Sequence, residues 1–428
     1  MKTYLVGGAI RDRLLGYTVH ERDWVVVGAT PEQMIAQGFI KVGKSFPVFL
    51  HPQTKEEYAL ARTEKKVSGG YYGFECDFSP LVTLAEDLSR RDLTMNAIAI
   101  ASEDIENDPL LENIHSKLID PYHGAIDLKN KIFRHISPAF SEDPVRLLRV
   151  ARFLARFKPL GFTIANETIV LMQDIVKAGE IDTLVVERVW QEFEKALQEP
   201  SPVAFIQVLR QTGALLKLLP EIDILYGVPQ TAVYHPEIDT GIHTEMVLRK
   251  ICQLSHDPQV RFGALVHDLG KGATPQSEWP SHKGHEERGV RIIENVCNRL
   301  KLPLSYKELG VIVSRYHLHC HRVFELRPDT ILKVLMSADA FRRPERFKNF
   351  LLICQADAQG RLGLEDNPYP QREYFWGAYE AANSVSIAQL IEDNQDAQGT
   401  PLKGDALKTV ITRARVRAIH SYSVLKKE

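Results

Sequence analysis

The sequence has no run of about 18 consecutive apolar residues, the length that a helix needs to cross a membrane. Its start, MKTYLVGGAIRD, reaches two glycines and an Arg-Asp pair too early to contain the apolar region of a signal peptide. Cysteines are few, odd in number and without a CxxC pair: Cys76, Cys252, Cys297, Cys320 and Cys354. These absences favour a cytoplasmic protein and argue against a disulfide framework or a zinc ribbon.

Internal repeats and low-complexity tracts are also absent, and the net charge is only −2 over 428 residues. At about 150 residues per domain, this length predicts two to four domains. The charge is nevertheless clustered. Segments 131–158 and 401–428 each contain seven Lys or Arg residues and two acidic ones. Such clusters fit either a track for phosphates or two solvated helix faces, and composition alone does not choose between them.

The order of secondary-structure signals predicts an α+β protein. Short β-rich runs lie in the first 135 residues, at Thr3–Val6, Trp24–Val27, Val48–Leu50, Tyr58–Ala61 and Ala97–Ala101. Beyond Ser141, apolar residues recur at helical spacing, as in Val145–Phe157, Ile164–Ala178 and Glu187–Leu197. We therefore predict a mixed α/β domain at 1–140, a helical neck or body at 141–225, a histidine-rich helical domain at 226–345 and a helical tail at 346–428.

The amino-terminal region contains residue types suited to phosphate and metal binding. Gly7 and Gly8 follow a strand and open a helix, where backbone N–H groups can approach an anion. Glu21 and Asp23 lie two residues apart, so strand alternation places both carboxylates on one face, where they could hold Mg²⁺. Glu57 is a third acid for an adjacent strand. Taken singly, a glycine turn and an acid-x-acid triplet are more often structural.

Two further motifs follow along the chain. RRDLTMNA occupies 90–97, and EDPVR at 142–146 opens a helix that also carries Arg149, Arg152 and Arg156. Spacings of three and four put these arginines on one helix face, opposite Leu147 and Leu154. By itself this could be a solvated basic face.

The combination and its order are more specific than any single motif. GGxxRD, the acid-x-acid strand, RRDxxxN and EDxxRxxR together resemble the class II tRNA nucleotidyltransferases, the CCA-adding enzymes. Longer stretches such as YLVGGAIRDRLLG and ISPAFSEDPVRLLRVARF are similar to the bacterial members, and the similarity covers residues 1–345. The resemblance implies a polymerase-β-like nucleotidyltransferase domain, Mg²⁺ as cofactor, and tRNA, ATP and CTP as partners.

The resemblance also implies a role for particular residues. Asp23 and Glu21 would bind Mg²⁺, and the residues that would contact the nucleotide are Gly8, Arg11, Arg91, Arg149 and Arg152. Asp143 and Arg146 match a pair that acts as a protein template, because an acceptor carboxylate beside a donor fork can read the Watson–Crick edge of cytosine and then adenine. The chain departs from the family in having Glu21 where an Asp is usual, and in extra sequence at Asn107–Leu118.

A second site is predicted in the histidine-rich region. His267-Asp268 lies in GALVHDLGKG, an apolar helix predicted to end at Gly270, and His243 lies in DTGIHT. An isolated His-Asp pair is usually not a site, but these segments resemble the HD phosphohydrolase domain. The resemblance implies a metal held by His243, His267 and Asp268, with His285 and His317 as further ligands and Asp357 as a carboxylate alternative. Surrounding groups would be His235, His319 and His321.

Histidine ligands suit Ni²⁺ or another divalent transition metal. The implied HD activities are phosphatase, 2′,3′-cyclic phosphodiesterase and 2′-nucleotidase. We thus predict a two-site enzyme that adds CCA to tRNA with release of pyrophosphate and hydrolyses phosphoesters at the HD site.

Three other functions are compatible with the motifs: a poly(A) polymerase of the same superfamily, an HD phosphohydrolase whose amino-terminal domain only binds RNA, and a non-catalytic tRNA-binding protein. Asp23, Arg91, Asp143 and Arg146 speak against the last of these. The oligomeric state, monomer or homodimer, is left open.

Overall fold

A computed structural model describes residues 1–19, 21–42, 48–66, 74–107, 113–395 and 401–426. The chain forms two compact units, Met1–Leu218 and Leu219–Glu428. The predicted extra sequence at 107–118 lies partly outside the described residues, at 108–112. Its second half contains a short helix, Ile114–Lys117, whose Ile114 is buried.

The first unit contains a six-stranded mixed sheet and two small two-stranded sheets. The large sheet has the order β3-β4-β5-β2-β1-β8; among its described strands, β2 and β5 pair parallel and the other neighbours pair antiparallel. The strands are β1 Lys2–Val6, β2 Asp23–Val27, β3 Ile40–Lys41, β4 Val48–Leu50, β5 Glu57–Leu60, β6 Thr63–Lys66, β7 Phe74–Asp77, β8 Ala99–Ala101, β9 Ile132–Phe133 and β10 Thr163–Ile164.

Both faces of the central strands are buried. Consecutive residues alternate between faces, so Leu5 packs in one apolar cluster with Trp24, while Val6 packs in another with Val25. Each cluster is also formed by flanking helices and loops. The strand ends are thereby held in place, and Asp23 lies at the first position of β2, opposite Val6 of β1.

Helices of the first unit contribute to the apolar clusters on both faces of the sheet, and the later helices form a helical body. The helices of this unit are α1 Gly8–Leu14, α2 Pro31–Ala36, α3 Leu84–Ser89, α4 Ser102–Asn107, α5 Ile114–Lys117, α6 Gly124–Asn130, α7 Val145–Phe157, α8 Asn166–Lys177, α9 Val186–Gln198, α10 Pro202–Thr212 and α11 Ala214–Leu218. Helix α7 packs against α9 and α10. It buries Leu147, Val150 and Leu154 and leaves its arginines partly exposed on the other face.

Among the residues that the structure describes, the secondary-structure elements of the second unit are all helices, joined by loops. Its helices are α12 Pro220–Asp223, α13 Thr240–Leu254, α14 Pro258–Val266, α15 Leu269–Gly272, α16 His285–Arg299, α17 Leu304–His321, α18 Pro328–Ser337, α19 Pro344–Gln359, α20 Pro370–Asn383, α21 Ile387–Asp393 and α22 Gly404–Leu425. Helix α14 is central and packs against α13, α17 and α19. None of the described helices is long and apolar enough to cross a membrane.

The sequence-based elements compare closely with this structure. All five predicted strand runs are confirmed, with ends that differ by up to two residues, and Val145–Phe157 is a helix over the predicted range. The five cysteines are free in this structure. One boundary was wrong. The helix that leads into the His-Asp pair ends at Val266 rather than Gly270, and a separate short helix begins at Leu269.

Candidate functional site

The first unit contains a cavity of about 560 Å³ between the sheet and helices α7 and α9. It gathers residues that are far apart in the sequence. The predicted nucleotide and metal residues in its wall are Gly8, Arg11, Asp23, Arg91, Asp143, Arg146, Arg149 and Arg152. Of the other two predicted acids, Glu57 lies beside Asp23 on the parallel strand β5 and Glu21 precedes β2, and neither is part of the described wall.

The glycine turn at the start of α1 makes room for two arginines. Gly7 has a φ of +73°, and a Cβ atom at this position would lie 2.9 Å from Nη1 of Arg91. Arg11, one turn into α1, is 4% exposed and donates from Nη1 to Oδ1 of Asn96 at 2.8 Å. Its guanidinium lies 5.2 Å from the ring centre of Phe153, and its burial lowers its pKa. These contacts fix the direction of a charge that faces the cavity.

Asp23 carries negative charge that the protein compensates only in part. Loss of hydration within the cavity wall raises its pKa; Arg91 opposes this shift, and the negative charge of Glu21 adds to it. Asp23 lies beside Glu57 on the neighbouring strand, with Glu21 two residues before it, and carboxylate oxygens are the ligands that Mg²⁺ prefers. The residues present therefore fit the metal that the sequence predicts.

Asp92 also lines the cavity and holds other residues of its wall in place. It is buried, and burial disfavours its charge, but Arg149 and a hydrogen bond from Asn96 outweigh this and lower the pKa of Asp92 to about 2. Nε of Arg149 donates to Oδ2 of Asp92 at 2.9 Å, and Nδ2 of Asn96 donates to Oδ1 at the same distance. Asp92 thus holds Arg149 at the cavity. Sequence reasoning quoted the RRDxxxN motif but assigned no role to its Asp92 or Asn96.

Helix α9 contributes residues that the sequence did not indicate. Glu192 accepts a hydrogen bond from Nε of Arg152 at 2.7 Å, and Arg188 pairs with Asp143. Arg146 donates from Nη1 to the carbonyl of Ala139 at 2.7 Å, which uses one of its five N–H groups. No local motif marks these two residues, because only the packing of α9 on α7 brings Arg188 into the cavity wall and Glu192 against Arg152.

The second unit brings the predicted HD residues together in its interior. His243 lies on α13, His267 and Asp268 lie between α14 and α15, His285 begins α16, and His317 lies on α17. Asp357 from α19 joins them. All six side chains are buried.

Asp268 presents its two oxygens to different histidines. Oδ2 lies 3.1 Å from Nε2 of His267 and 4.0 Å from Nε2 of His243. Oδ1 lies 3.3 Å from Nε2 of His285 and 3.6 Å from Nε2 of His317. In each of the two sets, the candidate ligand atoms lie within 4.8 Å of one another.

Hydrogen bonding directs the ring nitrogens towards the same point. The Nδ1 atoms of His267, His285 and His317 donate to backbone carbonyls at 2.8, 3.0 and 3.0 Å. Each Nε2 is then left with a lone pair, yet Nε2 of His285 and of His317 face each other at 3.3 Å. Nε2 of His267 and Oδ1 of Asp268 are buried without a hydrogen-bond partner among the described residues. Converging lone pairs and orphaned acceptors fit a metal cation.

Neighbouring charges complete this centre. Burial opposes the charge of Asp357, but His321, whose Nε2 lies 2.7 Å from Oδ2, and Arg361 hold its pKa well below the ordinary range. Asp268 has a strongly lowered pKa despite its burial, because of His267 and Lys271. Of the predicted surrounding histidines, His321 contacts Asp357, His235 lies 3.1 Å from Glu237, and His319 lies against Tyr316.

Comparison with known proteins finds family models that match the amino-terminal domain, the helical body and the HD domain. Residues 3–134 match the model of the Poly A polymerase head domain, 161–225 the model described as a probable RNA and SrmB-binding site of polymerase A, and 240–343 the HD domain. The chain is 54% identical to the multifunctional CCA protein of Teredinibacter turnerae, over 98% of this chain and 97% of that protein. The chain belongs to the multifunctional CCA protein family. That of Nitrosococcus oceani is 55% identical over 98% of both chains.

Solved structures agree at the level of the fold. A CCA-adding enzyme in an apo form superposes with a TM-score of 0.62 at 20% identity, covering 98% of this chain and 86% of that chain. The Thermotoga maritima CCA-adding enzyme complexed with tRNA gives a TM-score of 0.60 at 19% identity, covering 100% and 92%. The polymerase-β-like domain followed by an HD domain, and the α+β class, are confirmed. Both domain types imply divalent metal ions.

Proposed function

We propose that the chain completes the 3′-terminal CCA of tRNA with CTP and ATP and releases pyrophosphate. The main observation behind this proposal is that one cavity contains Asp23, four arginines suited to phosphate and the Asp143–Arg146 pair. Among curated relatives, proteins named multifunctional CCA protein match almost the entire chain. We expect the reaction to take place in the cytoplasm, where tRNA and both nucleotides are available.

In this proposal, the chain's own residues bind and orient the reactants. Arg11, Arg91, Arg149 and Arg152 neutralise the triphosphate, and the buried contacts to Asn96, Asp92 and Glu192 hold three of them in place before the nucleotide arrives. The tRNA 3′-hydroxyl attacks the α-phosphorus, and pyrophosphate leaves in line. Mg²⁺ bound by Asp23 and Glu21, with Glu57 as a third acid, would stabilise the attacking and leaving oxygens.

The same proposal assigns base selection to Asp143 and Arg146. The carboxylate accepts from the exocyclic amino group of cytosine or adenine, and the guanidinium donates to the ring acceptors. Uracil presents a carbonyl in place of the amino group, so it meets a like-charged acceptor rather than a partner. This is the physical basis for preferring CTP over UTP.

We further propose that the HD centre is a metal-dependent phosphohydrolase. His243, His267 and Asp268 would hold the ion, with Asp357, His285 and His317 around it, and Ni²⁺ or a similar transition metal suits this ligand set. Such an ion lowers the pKa of bound water and so supplies a nucleophile for phosphoesters. The expected substrates are 2′,3′-cyclic nucleotides, 2′-nucleotides and simple phosphomonoesters.

For the domain division we retain 1–140, 141–225, 226–345 and 346–428 as a proposal. Asp357 supports including part of the last segment in the HD centre, since α19 carries it to the histidines.

The direct test is incubation with tRNA that ends at its discriminator base, together with CTP, ATP and Mg²⁺. We expect products longer by three nucleotides, and only two additions when ATP is omitted. A ladder of many adenosines would instead identify a poly(A) polymerase. Absence of any extension, with tRNA binding retained, would favour an amino-terminal domain that only binds RNA.

A further inference from the structure

Arg188 makes a bidentate contact with the carboxylate of Asp143 through two nitrogens of its guanidinium group. Nη1 donates to Oδ1 at 3.2 Å and Nη2 donates to Oδ2 at 2.8 Å. The two residues are 45 positions apart and lie in different elements, Arg188 in the first turn of α9 and Asp143 just before α7. Both line the cavity. A planar fork that holds two oxygens fixes the orientation of a carboxylate, which a single contact does not.

The pairing is one of several contacts between one face of α9 and the cavity residues. Glu192 lies one turn after Arg188 and accepts from Arg152 at 2.7 Å, and Glu199 lies 3.5 Å from the same arginine. Helical spacing puts Arg188 and Glu192 on the face that meets α7, and Glu199 follows directly after the last residue of the helix. Helix α9 therefore supports one residue proposed to contact phosphate and one proposed to read the base.

Oδ2 is the oxygen of Asp143 that remains available to a ligand. Oδ1 accepts from Arg188 and also from the backbone N–H of Val145 at 3.2 Å. Oδ2 accepts from Arg188 alone among the described contacts. Each carboxylate oxygen offers about two acceptor positions. Oδ2 thus retains the capacity to accept from an amino group, in a direction set by the guanidinium plane.

We propose that Arg188 is the positioning residue that sets the direction of Asp143 and thereby determines how strongly the site prefers bases with an exocyclic amino group. This inference rests on the proposed function. Without Arg188, the contact from the Val145 N–H to Oδ1 remains, but a single contact does not fix the carboxylate plane, so Oδ2 is no longer held at the position of the amino group. The preference for CTP over UTP then falls, while the triphosphate contacts stay in place.

The test compares Arg188→Ala and Arg188→Lys with wild type, and uses Lys195→Ala as a matched control, because Lys195 is an exposed cation on the same helix. The measured quantity is the ratio of kcat/KM for CTP to that for UTP, on tRNA awaiting its first C. Loss of a charge-assisted hydrogen bond predicts a fall of about tenfold or more for Arg188→Ala. KM for CTP should change more than kcat. Arg188→Lys should be intermediate, and the control should match wild type.

A double-mutant cycle separates this role from a general structural one. If Arg188 acts through Asp143, adding Arg188→Ala to Asp143→Ala should lower the CTP to UTP ratio no further. Independent, multiplying losses would overturn the proposal, as would a ratio within about twofold of wild type in Arg188→Ala. If Arg188→Ala does not fold, a wild-type ratio of kcat/KM for CTP to that for UTP in Arg188→Lys would contradict the proposal. Failure of wild type to add any C would instead refute the proposed function.

Discussion

Asp23 is the residue on which nucleotide addition should depend most. Its carboxylate begins β2 in the wall of the cavity, and its raised pKa reflects reduced hydration and the nearby charge of Glu21. We expect Asp23→Ala to lower the rate of CCA addition by more than tenfold, about 1.4 kcal/mol or more of transition-state stabilisation, while tRNA binding stays near wild type. Gel extension and filter binding measure the two quantities.

Two other variants serve as comparisons for Asp23→Ala. Glu103→Ala, an exposed acid on α4, should leave addition unchanged. Glu21→Asp restores the residue usual in the family and should give equal or higher activity; a collapse would show that the site is built around the longer side chain. An Asp23→Ala enzyme that kept more than a tenth of wild-type turnover would contradict the metal assignment.

Asp92 should contribute to stability in a pH-dependent way. Its folded pKa of about 2 lies below the ordinary value near 4, so its ionised contacts favour folding above pH 4, and this contribution is lost as the pH falls towards 2. The shift corresponds to about 2 kcal/mol. Denaturant unfolding should show Asp92→Asn less stable than wild type by about this amount at pH 6, with the difference narrowing below pH 4.

Asp104→Asn, on the partly exposed helix α4, provides the comparison and should show no such narrowing. A gap between wild type and Asp92→Asn that stayed constant from pH 6 to pH 3 would mean that lost packing, and not lost charge, accounts for it.

At the scale of elements, glycines set how closely helices approach around the HD centre. A Cβ atom at Gly270 of α15 would collide with the carbonyl of His285 and the backbone nitrogen of Gly289 on α16. Because backbone atoms cannot move aside cheaply, we expect Gly270→Ala to destabilise the protein by about 1–3 kcal/mol or more. It should also weaken metal binding, since His285 would be displaced. Thermal unfolding with and without Ni²⁺ measures both.

Gly310→Ala is the matched comparison. There a Cβ atom would lie 3.2 Å from Cγ2 of Ile293 and 3.3 Å from Cγ2 of Val266, which are ends of side chains that can shift. Its cost should be smaller than that of Gly270→Ala. Equal costs would indicate that backbone proximity between α15 and α16 is not the deciding factor.

At the scale of the whole molecule, the two sites should be separable. They lie in two compact units, one lined by carboxylates and arginines and the other by histidines and carboxylates. The double variant His267→Ala with Asp268→Ala should lose hydrolysis of 2′,3′-cyclic nucleotides and keep CCA addition near wild type. Asp23→Ala should do the reverse.

Metal addition gives a second readout of the same separation. Ni²⁺, Co²⁺ or Mn²⁺ should stimulate hydrolysis and raise the melting temperature of wild type, because an ion that binds only the folded state stabilises it. Neither effect should occur in the HD double variant. Loss of CCA addition in that variant, with circular dichroism unchanged, would show that the sites are coupled.

Much of this protein was determined by local sequence. The runs Thr3–Val6 and Trp24–Val27 are apolar and β-rich enough to form strands in most contexts, and the arginine spacing of Val145–Phe157 places its charges on one face of a helix. The ordered motifs carried the family resemblance. Most of the candidate residues were named on that ground, because their types and spacing are local properties.

Only the tertiary structure decided which groups support those residues. Arg188 and Glu192 contact candidate residues because α9 packs on α7. Asp92 holds Arg149 because it is buried against that side chain. Likewise, the sequence could name His285, His317 and Asp357, but not that the two oxygens of Asp268 face different histidines. Such contacts join residues tens of positions apart. They depend on how helices cross, and no short pattern of residues encodes a crossing.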